Sequence, residues 1–76
     1  MMRYFGRVDL DEEEYMLLLR LDEENGVGQF YAASEDAWED TESAFEAPYD
    51  TTYYDELTKD QAIEVKARMK EKYYKG

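Results

Sequence analysis

Residues 15–21, Tyr-Met-Leu-Leu-Leu-Arg-Leu, are the strongest apolar segment of the chain, and any fold it adopts must be built around them. Tyr15, Leu17, Leu19 and Leu21 fall on one face at period two, and Met16, Leu18 and Arg20 on the other, the spacing of a central strand. The segment runs into Asp22-Glu23-Glu24-Asn25-Gly26. Asn-Gly is a hairpin signal because both residues tolerate positive φ, so residues 28–33, Gly-Gln-Phe-Tyr-Ala-Ala, are expected to pair back antiparallel. Upstream, residues 2–8 alternate Tyr4, Gly6 and Val8 against Arg3, Phe5 and Arg7, which suits a short strand with one polar face. The acidic run 9–14, interrupted only by Leu10, reads as its exit loop.

The C-terminal segment carries helical signals that agree with one another. Thr58-Lys59-Asp60-Gln61 fits a capping box, and Ala62, Val65, Met69 and Tyr73 follow at helical spacing with Ile63 and Ala67 beside them. Asp60 in the first turn and Lys70, Lys72 and Lys75 near the end oppose the helix macrodipole in the stabilising sense. Residues 34–57 admit two readings. In the first, Ser34 caps a short helix in which Ala37, Trp38, Thr41, Ala44 and Phe45 share a face and Pro48 ends it. In the second, the stretch is extended with a further hairpin arm, because residues 49–54, Tyr-Asp-Thr-Thr-Tyr-Tyr, are rich in strand formers. The expected architecture is a single α+β domain over residues 1–76. It has a three-stranded antiparallel sheet packed by a C-terminal helix, with a short middle helix as the first reading.

Composition decides whether such a chain folds. Leu, Ile, Val and Phe together number only 13 of 76 residues, and nine basic against twenty acidic side chains give a formal net charge of −11, a combination typical of disorder. Eight Tyr, one Trp and four Met change the balance, because aromatic side chains bury more area than aliphatic ones. A small folded domain of marginal stability is the expectation, at about half the usual domain length. No apolar run approaches the roughly 20 residues that span a bilayer, and the N-terminal residues lack a signal-peptide core. The expected location is therefore cytoplasmic.

The residues exclude much chemistry. There is no Cys and no His, which removes disulfides, thiol nucleophiles, iron–sulfur clusters and most zinc, haem and triad sites. With twenty carboxylates some pair always lies at glycosidase separation, so proximity has no diagnostic value. Placing Gly26 at the sixth position of a calcium loop puts Leu21 at the first and Ala32 at the twelfth, where carboxylates are required. Gly26-Val27-Gly28 is too short to cradle phosphate. No catalytic residue, metal ligand or cofactor is assigned.

What departs from background is the charge map. Residues 9–60 carry a net −16, while residues 1–8 and 61–76 carry +2 and +3. Between 35 and 56 there are nine acids and no base: Glu35, Asp36, Glu39, Asp40, Glu42, Glu46, Asp50, Asp55 and Glu56. They are interleaved with Trp38, Phe45, Tyr49, Tyr53 and Tyr54. Solubility needs a net charge of only about 2–8, and the excess destabilises the compact state by self-repulsion.

These acids, with Trp38, Tyr49, Tyr53 and Tyr54, are the candidate partner-binding residues, and the expected partner is a basic, nucleic-acid-binding protein. Nucleic acid itself and membrane are not expected partners, and the chain is expected to be a monomer or small homo-oligomer. In size, composition and charge the chain resembles the small acidic phage-encoded inhibitors that mimic DNA, several anti-CRISPR proteins among them; the resemblance lies in these bulk properties and not in a motif. It implies a stoichiometric inhibitor without enzymatic activity. Two alternatives remain open: an immunity- or antitoxin-like protein masking a basic toxin, and an accessory domain of a phage or bacterial operon.

Overall fold

The computed structural model describes residues 1–9 and 14–75. Five strands form one antiparallel sheet: β1 (Met2–Asp9), β2 (Glu14–Asp22), β3 (Val27–Ala32), β4 (Ala37–Asp40) and β5 (Asp55–Leu57), in the order β4-β3-β2-β1-β5. Two helices accompany them, α1 (Ser43–Glu46), continued by a 3₁₀ turn over Ala47–Tyr49, and α2 (Lys59–Lys75). None of the described helices is long and apolar enough to cross a membrane.

The α+β class is as expected, and the sheet has five strands where the sequence reading counted three. The strand over 15–21 is indeed central, with β1 and β3 on its two sides. Asp9 and Glu14, read as parts of a loop, pair with each other in the β1–β2 ladder; the remainder of that loop, residues 10–13, lies outside the described residues. Asn25 and Gly26 make the predicted turn, with Gly26 at φ 64° and the Asn25 amide donating to Asp22 Oδ2 at 2.6 Å.

Residues 34–57 follow neither reading in full. Ser34 caps nothing, because residues 33–36 form the β3–β4 turn and Ala37 and Trp38 lie in β4. The helix begins at Ser43 and holds one turn. The Tyr- and Thr-rich residues 49–54 form no strand, since Tyr49 ends the 3₁₀ turn and residues 51–53 make a further turn, and the strand follows them as β5.

Directly paired residues project to one face of a sheet, which assigns the two faces from the register. Phe5, Leu19 and Phe30 share one face, where Leu21, Ala44 and Ala47 complete a buried cluster. Leu18, Tyr31 and Leu57 lie on the other, packed with Ala62 and Val65 of α2. The central strand is therefore covered on both sides, and Phe5, read as part of a polar face, is among the most buried side chains.

Helix α2 opens on the predicted capping box: the Gln61 N–H donates to Thr58 Oγ1 at 3.1 Å and the Thr58 N–H to Gln61 Oε1 at 2.9 Å. Its inner face is Ala62, Val65 and Met69; Tyr73, expected to continue that face, is exposed.

The one-turn helix α1 reaches the sheet because the sequence is small at the contact. Ala44 and Ala47 point inward, and at Gly28 a Cβ would stand 2.7 Å from the Phe45 ring, 2.9 Å from the Thr41 carbonyl and 3.0 Å from Ala44 Cβ. The Thr41 N–H donates to the Gly28 carbonyl at 2.9 Å, so the backbone cannot easily retreat. Gly28→Ala is therefore expected to cost about 1–3 kcal/mol by overpacking. Urea unfolding read by Trp38 fluorescence checks it, and an unchanged midpoint would show that α1 is not seated on β3.

Candidate acidic and aromatic interface

Because β4 and β5 lie at opposite edges, the chain between them must cross the whole sheet. Residues 41–54 do so on the face opposite α2, as a belt. Its inward side chains are Ala44, Ala47 and the half-buried Tyr54, all packed in the Phe5 cluster. Its outward side chains include Glu42, Glu46, Tyr49 and Tyr53, the two rings exposed by 86% and 58%, while the Phe45 ring lies against Gly28 and leaves 41% of the residue exposed. The path is set by local hydrogen bonds: the Ser43 N–H donates to Thr41 Oγ1 at 3.2 Å, and the Asp50 carbonyl accepts from Tyr53 and Tyr54 at 3.3 and 3.1 Å. Glu42 stands at the N-cap of α1, yet its carboxylate makes no capping bond.

Glu39 on the edge strand β4 joins this surface, since its pairing with Phe30 points it to the belt side. Glu39, Glu42 and Glu46 are exposed and form no ion pair with any described residue. Most cations lie elsewhere, and those on the belt side are engaged with other groups. Six of the nine bases belong to α2, on the far face of the sheet. On β1, Arg3 is engaged with Glu23 at 2.6 Å and Glu56 at 2.9 Å, and the Arg7 guanidinium lies 5.3 Å from the centre of the Tyr53 ring.

The sequence-selected residues therefore divide. Glu39, Glu42, Glu46, Tyr49, Asp50 and Tyr53 are brought together on or beside the belt, with Tyr54 turned beneath it. Glu35 lies exposed in the β3–β4 turn, and Asp55 projects from the far edge strand to the α2 side.

The other four are engaged in the fold. Glu56 receives two hydrogen bonds from the Arg3 guanidinium, which holds its carboxyl below the usual range. Asp40 accepts from Gln29 Nε2 at 3.1 Å. Trp38 is half-buried on the α2 side, with the Arg20 guanidinium 4.3 Å from its ring centre and the Tyr31 ring at 5.6 Å. Asp36 accepts from Tyr31 Oη at 2.7 Å and Lys70 Nζ at 2.8 Å, tying the β3–β4 turn to α2. Phe45 was not among the selected residues; Ala44 and Ala47 at helical spacing take the buried face and leave its ring at the edge, against Gly28 and partly exposed. Among the described residues no three carboxylates converge on a point that could hold a metal ion.

The Asp36 cluster makes stability depend on pH at both ends. The Lys70 ammonium, and after it the Tyr31 hydroxyl, hold the Asp36 carboxyl below its ordinary value. That contribution is present above the unfolded value of about 4 and is lost as pH falls through the depressed one. Burial, then the Asp36 hydrogen bond, pushes the Tyr31 phenol up to about 12. The unfolded phenol ionises near pH 10, so this share is full below that and disappears as pH rises towards 12. Asp36 sits at φ 50°, which Asn also tolerates. Asp36→Asn is thus expected to keep the turn, lower the urea midpoint at neutral pH and converge on the wild-type midpoint as pH falls through the depressed carboxyl value. Equal losses at all pH values would show that the charge pairing is unimportant.

Comparison with protein-family models, curated proteins and solved structures finds no match for this chain.

Proposed function

We propose that this chain is a non-enzymatic binding protein whose belt occupies the basic groove of a nucleic-acid-binding protein in place of DNA. The observation that carries the reading is that Glu39, Glu42 and Glu46 stand exposed and unneutralised on one surface, on a chain segment without a single base. Duplex DNA presents one negative charge per roughly 1.7 Å of axis, and its binding proteins answer with Lys and Arg. An acidic surface offers those cations an alternative, and its field draws the partner in before contact. This is the working mode implied by the resemblance to small acidic phage-encoded inhibitors.

The exposed rings favour a second reading. Phe45, Tyr49 and Tyr53 between the carboxylates are the residue types that anchor a cognate one-to-one interface, as an immunity-like protein masking a basic toxin would need. The test begins by isolating the bound protein on the immobilised chain. Displacement of a fluorescent duplex from that protein, in proportion to added chain, is the outcome of DNA mimicry. A partner that binds no DNA, with affinity concentrated in Tyr49 and Phe45, is the outcome of the second reading.

A further inference from the structure

The sheet ends at β4 on one side and at β5 on the other, and no described strand pairs beyond either. In an antiparallel ladder only alternate residues bond to a given neighbour, and the others turn their N–H and C=O the opposite way. The Thr41 N–H bonds the Gly28 carbonyl, and the same register sets Glu39 opposite Phe30 and Ala37 opposite Ala32. Positions 37, 39 and 41 therefore bond inward to β3, while Trp38 and Asp40 turn their N–H and C=O groups to the open edge. Carried across the sheet through β2 and β1, the same alternation leaves β5 one such residue, Glu56, whose side chain Arg3 already holds.

We propose that the edge of β4 receives an extended basic segment of the partner protein as a sixth strand. Main-chain bonds to Trp38 and Asp40 give such an addition its affinity, and the alternating side chains give it specificity. Glu39 projects to the belt side, exposed and without an ion pair among the described residues, so the residue opposite it is Lys or Arg. Trp38 projects to the other face with its ring half-buried, so the residue opposite it is apolar. Asp40 shares that face, already accepts from Gln29 and requires no cation. The complementary segment thus alternates basic and apolar residues.

A second copy of this chain does not fit the edge. Antiparallel self-pairing that matches the outward groups centres on residue 38, 39 or 40. The first runs Asp40 into the β3–β4 turn at Asp36. The other two set Glu39 or Asp40 opposite its own copy, and like charges directly opposite destabilise a pair. Charged residues at a sheet edge guard it against unwanted strands; here the guard is acidic, so a basic strand passes it. The inference rests on the reading that the partner is basic and adds a second mode of contact. Because β4 leads directly into the belt at residue 41, a strand seated on the edge holds the partner beside the belt carboxylates.

The probe is a short capped peptide of alternating Val and Arg, added to the full chain at physiological salt. Hydrogen exchange followed by NMR is expected to slow by about tenfold or more at the Trp38 and Asp40 amides, and a peptide of alternating Val and Glu to leave it unchanged. Asp40→Pro removes one outward N–H and no bond to β3. It is expected to bind the peptide about threefold to tenfold more weakly than Asp40→Ala, which keeps that donor. Amide dispersion checks that both variants fold, and the exchange result on the wild-type chain stands without them. A Val and Arg peptide that fails to bind, or binds without protecting Trp38 and Asp40, overturns the proposal, as does equal binding by the two folded variants. Failure of the belt reading shows differently, as a partner that keeps its duplex while the peptide still protects these two amides.

Discussion

Leu19→Ala is expected to remove much of the stability of this domain, at a cost of about 2–5 kcal/mol. Leu19 is fully buried in the middle of β2, opposite Phe5 on one neighbouring strand and Phe30 on the other. The space left by its side chain cannot collapse readily. The neighbours on its face are held by ladders on both sides, and the cover above is a one-turn helix already in contact through two alanines. A domain of this length holds about 4–11 kcal/mol in all, so the loss takes a large share of the total. Thr58→Ala removes one arm of an exposed capping box and is expected to cost about 1 kcal/mol. Urea titrations of both variants, followed by Trp38 fluorescence, check the ratio. Similar small losses at the two positions would mean that the sheet is not organised around β2.

The second large effect separates folding from binding. Replacing Glu39, Glu42 and Glu46 together by Gln removes three exposed carboxylates that no cation of the described chain neutralises. In the free protein they only repel one another and the rest of a net −11 chain, so the urea midpoint should hold or rise, as it should when salt is added to the wild-type protein. Association with the basic partner should slow by about tenfold or more at low ionic strength, because steering by opposite fields is the term removed. Both properties falling together would indicate that these carboxylates serve the fold.

The parts of this structure that were legible in the sequence are those set by neighbours in the chain. The period-two pattern of 15–21, the Asn25-Gly26 turn and the Thr58–Gln61 box each act over a few residues, and each forms where its signal lies. The edge strands were hidden because β4 and β5 are four and three residues long and carry Glu39, Asp40, Asp55 and Glu56, residue types that local preference assigns to loops. Pairing with β3 and β1 makes them strands, and that partner choice is not local. Cover on both faces could have been read from residues 15–21 themselves, since Leu18 opposes Leu17 and Leu19 and needs burial as much as they do.

The same distinction explains the site. A run of nine acids without a base looked like one continuous surface, yet Asp36 is met by Lys70, 34 residues away, and Glu56 by Arg3, 53 residues away. Long-range pairing gave these two a cation within the fold although both stay exposed, while Glu39, Glu42 and Glu46 kept their charge uncompensated. Trp38 was drawn into the α2 side by Tyr31 and Arg20, partners that only the register of β2, β3 and β4 brings near.

The most direct test of the belt as the binding face compares two variants of equal net charge. One carries Gln at positions 39, 42 and 46. The other carries Gln at 24 and 64 and Asn at 60, exposed acids away from the belt. Association rates with the isolated basic partner are measured for both across ionic strength. The account predicts a large loss of rate and a flatter salt dependence for the belt variant, with the control close to wild type. Equal losses in the two variants would contradict it, because the partner would then be responding to net charge and not to the surface that residues 39–53 build.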